Sequence, residues 1–331
     1  MEWTSDVAAG DWLVERIDDP WRYTMHDVVP RGFPAYARIF HPASRDRPAG
    51  ESWPGLPYAR YRNEWDAFHE RSPEIVDERV TWAATAAAMG TTMHAGAQWS
   101  ALVAPGRIVE NEDGPRDPAG WRYTDPEQGG MPADTFAAVA EVLARHTTTP
   151  HNGFAALWEG FGGLVGFMGD GPSRGFFGWI TDDDGNVQAW HNDMLRRSMK
   201  DRFNDVFRKP SWQDGILSRE ISEGPRLELP GRAYVLFRGG VTELADPEWM
   251  LRVPWGDRVA EEHGFTPSAQ SPSLLWPSDR AWVLVSEIDY DSTIVGGGDE
   301  LVRELCDDRR LEALPVREGT LLTDSSDEVN R

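Results

Sequence analysis

The sequence predicts an α+β fold, a largely antiparallel sheet with packed helices and room for two tightly joined lobes. Three observations point there. Segments with apolar residues at helical spacing interleave with short β-rich runs, two such runs flank a favoured turn pair, and 331 residues slightly exceed the size at which single cores tend to split. Hydrophobic residues at 40% and charged residues at 27% are ordinary for a chain that folds.

Residues 1 to 60 are rich in proline, glycine and aromatic side chains, with one short amphipathic element expected between Phe33 and Phe40. Ser72-Pro73-Glu74 has the form of a helix start: an N-cap serine, a proline at the first helical position and an acid in the first turn. Val76, Val80, Ala83 and Ala87 then recur at helical spacing, and Gly90 supplies a stop. A strand is expected at Trp99 to Val103. A second helix starts near Pro132, presents Phe136, Val139 and Leu143 on one face, and ends at the cations Arg145 and His146. Phe154 to Trp158 reads as a strand. Phe176 to Ile180 and Val187 to Trp190 flank Asp184-Gly185 as a hairpin, and residues 191 to 228 read as a polar helical insertion. Ala233 to Phe237 and Ala281 to Ile288 are the clearest strands, and a closing helix is expected from Asp299 to Cys306. Divided this way, the chain has an N-terminal lobe over 1–226, with a variable insertion at 163–226, a C-terminal lobe over 227–318, and a mobile polar tail over 319–331.

Acidic residues number 55 against 33 lysines and arginines, a net charge of −22. That balance opposes phosphate backbones and anionic membranes, both of which are bound through clustered cations. Only Lys200 and Lys209 are lysines, and both fall in a basic stretch from Arg196 to Lys209. Cys306 is alone, so it forms no disulfide within the chain and no cysteine zinc site, and a buried inert thiol is its ordinary role. Glu2, Asp6 and Asp11 stand where a secretory leader needs basic and then apolar residues, and Gly153 to Gly169, the most apolar window, is interrupted by Glu159. A cytoplasmic address is the expectation. The 16 tryptophans, Trp53, Trp65, Trp82 and Trp99 among them, fall in different elements and point to a tryptophan-rich core.

Chemistry is most legible from Trp282 to Glu300, which runs strand, acidic cluster, glycine turn, helix. On an extended strand Glu287, Asp289 and Asp291 alternate onto one face, where Asp289 and Asp291 offer hard oxygen ligands for Mg²⁺ or Ca²⁺. Gly296-Gly297-Gly298 before the helix offers backbone N–H groups, without the lysine of a phosphate loop or a dinucleotide fingerprint. His146 and His151 flank a Thr-Thr-Thr-Pro loop, with Glu159 after the following strand, a set suited to metal binding or proton transfer but lacking the zinc-peptidase spacing. His94 lies on a loop between elements. Asp182-Asp183-Asp184-Gly185 lacks the first ligand of a calcium loop, and no serine sits in a nucleophile elbow.

Gly32 to Pro42, Leu143 to Pro150, Leu157 to Gly162, Leu229 to Gly239 and Ser271 to Gly297 resemble a group of conserved actinobacterial proteins. The resemblance implies no particular activity and no catalytic residue. Gly163 to Arg226 is peculiar to this chain within it.

Two functions compete on the sequence. One is an interaction protein that meets a basic protein partner with an acidic, aromatic-rich surface. The other is a metal-assisted hydrolase or transferase with Asp289 and Asp291 as ligands and Glu287 or His151 as general base, which requires those groups to converge in one cleft. Whether the chain is an enzyme stays open at this level, and no cofactor is named.

Overall fold

The computed structural model describes residues 1–18, 22, 24–105, 114–169, 210–323 and 325–330. Among these residues the chain forms eight α-helices and fourteen strands, and every strand pair is antiparallel, in keeping with the expected α+β class.

A short strand, β1 (Glu2–Trp3), and a helical turn, α1 (Asp11–Val14), precede the first long strand, β2 (Ala35–Phe40). Next come β3 (Ala43–Pro48) and helix α2 (Tyr58–Arg71), which stops where Ser72 enters the left-handed region at φ 44°. The single helix expected from Ser72 to Gly90 is not formed. Ile75–Val80 is strand β4, and only Trp82–Met89, α3, is helical. The β-branched Ile75, Val76 and Val80 pack better on a pleated surface than against a helical turn. Thr81 then starts α3 by accepting the Ala84 N–H at 3.2 Å. Trp99–Val103, expected as a strand, is helix α4, with Trp99, Leu102 and Val103 buried at i, i+3 and i+4.

After β5 (Arg122–Thr124), helix α5 (Ala133–Arg145) and strand β6 (Gly153–Trp158) form where the sequence places them. Strands β7 (Phe167–Gly169) and β8 (Ser211–Gln213) make a separate ribbon. The hairpin expected from Phe176 to Trp190, with its Asp182 to Gly185 tip, and the basic stretch lie outside the described residues. The described end of the expected helical insertion holds β8, the short helix α6 (Arg219–Ser222) and the start of β9 (Leu227–Leu229). Strand β10 (Arg232–Gly239), helix α7 (Arg258–Glu262), strands β11 (Leu274–Pro277), β12 (Val283–Val285) and β13 (Ser292–Gly297), helix α8 (Asp299–Asp307) and strand β14 (Ala313–Val316) complete the order.

One sheet of nine strands organises the molecule, in the order β1-β10-β6-β11-β12-β13-β2-β14, with β9 also on β10. Strands from before and after residue 226 are interleaved in it. Successive residues point to opposite faces. Ala155, Leu157, Val235 and Phe237 join a core under α5 and α8, whereas Ala156, Tyr234, Leu236 and Leu274 join a second core under Trp12, Leu13, Met25 and Leu322. Both faces are therefore covered. Trp82, Trp249, Trp255, Trp276 and Trp282 are fully buried, as a tryptophan-rich core requires. Their indole N–H groups find carbonyls where they must: Trp282 donates to Leu143, Trp82 to His41 and Trp255 to Gln270, at 2.8 to 3.0 Å. A smaller three-stranded sheet, β4-β3-β5, sits over a third cluster around Trp82 and Trp99. No helix among the described residues is long and apolar enough to cross a membrane.

Two local expectations change at the end of the chain. The strand expected to run to Ile288 ends at Val285, because the chain turns: the Tyr290 N–H donates to the Glu287 carbonyl at 3.0 Å and the Asp289 N–H to Glu287 Oε2 at 2.6 Å. Gly296 and Gly297 belong to β13 rather than to a turn, since a Cβ on Gly296 would lie 2.8 Å from Phe33 and 2.9 Å from Tyr36. The described part of the tail is docked, not loose. Asp327 and Asn330 are buried, and Leu321 bridges to Thr24.

Candidate functional site

Glu287, Asp289 and Asp291 sit on the turn between β12 and β13, and the turn sends them in different directions. Glu287 is only 6% exposed, with Arg232 Nε 2.5 Å from its Oε1 as an ion pair off hydrogen-bonding alignment. The same guanidinium reaches Asp289 Oδ2 at 2.8 Å and lies over the Trp158 ring. Asp289 is 74% exposed at its side chain. Asp291 instead faces Arg38, whose Nη2 is 3.4 Å from Oδ1.

Arg38 is fully buried and fully engaged. It donates to Ser292 Oγ at 2.8 Å and to the carbonyls of Ala95 and Ala97 at 3.1 and 2.7 Å, and it stacks over Phe40 and Trp82. Burial lowers its pKa to about 10 against the pull of Asp291, so it stays charged near neutrality. Tyr290, between the acids, is pushed up to about 12 by burial, with the Glu287 charge adding to the effect. Each acid of the turn is thus neutralised by an arginine from another strand.

His151 is not part of this group. It precedes β6, and its Nδ1 is 2.9 Å from Thr242 Oγ1. Gly153 of β6 pairs with Pro277, whereas Trp158 at the other end donates its N–H to Ser273 Oγ, next to Ser286. His151 and Glu287 are therefore separated by the length of β6, about 17 Å at the usual strand rise. His146 is drawn away as well, with Nε2 2.5 Å from Glu304 Oε2 on α8, and Glu159 pairs with Arg226 at 2.9 Å. Among the described residues no three His, Cys, Asp or Glu side chains are placed to hold a metal ion. Cys306 is half-buried, and burial raises its thiol to about 11, the inert state its position suggests.

His94 is the exception that gains a partner unread in the sequence. Its Nε2 is 3.0 Å from Asp327 Oδ1, while Nδ1 accepts the Gly96 N–H at 3.2 Å. Burial alone would raise Asp327, but hydrogen bonds from Asn330, Gln98 and His94 hold it at about 2. His94 borders an open groove of about 660 Å³ with Arg317, Thr320 and Ser326. Both ring nitrogens of His94 are occupied, so the pair fastens the tail and leaves no free basic nitrogen for proton abstraction.

The outer surface follows a different pattern from these internal pairs. Many arginines are paired within the fold: Arg31 with Asp18 and Glu318, Arg310 with Asp308 and Glu141, Arg122 with Asp46, and Arg45 and Arg47 both over the Trp121 ring. Exposed carboxylates are left over: Glu2, Asp6, Asp11 and Glu15 near the start, and Glu64, Asp66, Glu70, Glu74 and Asp77 around α2 and β4. No family model, no curated protein and no solved structure matches this chain.

Proposed function

We propose that the chain is a soluble cytoplasmic interaction protein whose acidic surface meets a basic protein partner. The observation that carries this reading is the balance of charge just described: many guanidinium groups are paired within the fold, and the acidic excess leaves a larger set of carboxylates facing outward. Such a surface raises the local concentration and the on-rate of a cationic partner, and the effect weakens with salt.

The competing reading, a metal-assisted hydrolase or transferase using Asp289 and Asp291 with Glu287 or His151 as base, draws no support from the geometry. A cation at the turn would have to displace Arg232 or Arg38, and His151 is a strand's length away. Calorimetric titration of metal-stripped protein with Mg²⁺, Mn²⁺, Ca²⁺ and Zn²⁺ separates the two. The interaction reading expects no saturable binding at millimolar metal, whereas binding lost in Asp289→Asn/Asp291→Asn would restore the hydrolase. The direct test is affinity capture at physiological salt followed by reconstitution with the purified partner. A saturable complex with a basic protein, weakened several-fold by raising the salt, is expected. Recovery only of acidic or uncharged partners, with no salt dependence, would overturn the proposal.

A further inference from the structure

Strand β4 has an open edge. It pairs with β3 from Ala43↔Val80 to Pro48↔Ile75, and among the described residues no strand pairs with its other side. In an antiparallel ladder alternate residues direct their N–H and C=O groups outward, so this edge offers a row of unused donors and acceptors. The strand is also bare on both faces: Ile75, Val76, Asp77, Glu78 and Arg79 are all exposed, Ile75 at 40% and Val76 at 39%.

The edge is held rigid from behind. Glu78 is paired with Arg45 of β3, Arg79 Nη1 is 2.7 Å from Asp134 at the start of α5, and the Ala49 N–H donates to the Glu74 carbonyl at 2.8 Å. Among the described residues the exposed Glu74 and Asp77 of this stretch form no ion pair. Side chains alternate, so Ile75 and Asp77 share one face and Val76 lies on the other.

We infer that β4 is the docking edge for an extended basic segment of the partner, which adds to the small sheet as an antiparallel strand. This rests on the interaction reading above and assigns it a place. An incoming strand reads β4 in reverse, so a lysine or arginine opposite Asp77 is followed by two aliphatic residues opposite Val76 and Ile75. Main-chain hydrogen bonds supply affinity, and the alternate side chains supply selection. A second copy of this chain is the poorer occupant: two β4 strands paired about their midpoint set Asp77 of each against Glu78 of the other, and like charges directly opposite destabilise a sheet.

The probe is a fluorescein-labelled eight-residue peptide centred on Lys-Val-Val, read by anisotropy, with two controls: the same peptide with alternate amides N-methylated, and one centred on Glu-Val-Val. The unmodified peptide should bind saturably and both controls at least fivefold more weakly. Asp77→Lys should weaken the unmodified peptide at least fivefold without lowering the thermal melt, because Asp77 is exposed, forms no ion pair among the described residues and faces Asp46 across the β3–β4 pairing. Equal binding of the N-methylated and unmodified peptides, or no effect of Asp77→Lys, overturns the docking edge. If Asp77→Lys leaves a captured basic partner bound, the edge is refuted and the broader interaction reading stands. If no basic protein binds at all, both fall. A concentration-dependent dimer by light scattering, lost in Val76→Lys, would assign the edge to self-association and also refute the proposal.

Discussion

Lowering the pH tests the buried polar chain behind β2. His41 is wholly inaccessible, with Nδ1 2.7 Å from the Glu127 carbonyl and Nε2 2.8 Å from Thr293 Oγ1, which is in turn 2.5 Å from Ser286 Oγ. A carbonyl only accepts, so Nδ1 carries the proton and Nε2 accepts from the Thr293 hydroxyl, which accepts from Ser286. Protonating Nε2 would set two donors against each other inside the core. Burial lowers the His41 pKa to about 4 from an ordinary 6.5. The folded state therefore binds this proton less readily than the unfolded chain. Its stability contribution is complete above pH 6.5 and is lost as the pH falls from there towards 4. At 1.36 kcal/mol per unit the loss amounts to about 3 kcal/mol. Urea denaturation at pH 7.5, 6, 5 and 4, compared between the parent chain and His41→Asn, reads it directly. The parent should lose about 3 kcal/mol more than the variant over that range. Parallel pH profiles for the two proteins would refute the argument.

Three further outcomes follow from other packed sites. Arg232→Met strips Glu287 of the cation it pairs with and should cost about 3 kcal/mol in urea unfolding, with Arg232→Met/Glu287→Leu recovering most of the loss. Gly153→Ala places a Cβ 2.5 Å from the Trp276 carbonyl at the β6–β11 pairing and should lower stability by roughly 1–3 kcal/mol, read as a fall in the melting temperature. Asp327, held at about 2 by its hydrogen bonds, contributes fully above its ordinary 3.8 and loses that contribution as the pH drops towards 2. Amide exchange of Val329 and Asn330, slow at pH 5, should therefore speed up there beyond the intrinsic pH trend, and Asp327→Ala should remove the protection at pH 5.

Long segments with one clear period were readable from the residues alone. Helix α5 carries Phe136, Val139 and Leu143 on the face that meets the sheet, α8 begins directly after glycines, and β6 and β10 are apolar runs buried on both sides. Short elements were not. Val76, Val80, Ala83 and Ala87 fit a helical spacing although a strand, a cap and a helix divide them, and five residues at Trp99 carry too few periods to separate helix from strand. The acidic turn was misread for a related reason: alternation places Glu287, Asp289 and Asp291 on one face only if the strand continues, and the side chain of Glu287 itself closes the turn. Arg232, Arg38 and Asp327 carried no local signal, because each meets its partner across 55 to 253 residues of chain or, for Asp327, across 233.

The strand order also bears on how the protein is made. β2 lies between β13 and β14, and Phe40 and Val316, which mark the span from β2 to the end of β14, stand 276 residues apart in sequence. At bacterial or eukaryotic elongation rates of about 5–20 residues per second, the ribosome needs roughly 15–55 s to deliver the missing neighbours. For most of that interval, until β13 is made, Ala37, Ile39 and Phe40, buried in the finished molecule, belong to a strand with neither flank in place. The sheet therefore closes late, and the nascent chain is a natural client for chaperones that shield apolar strands until β13 and β14 arrive.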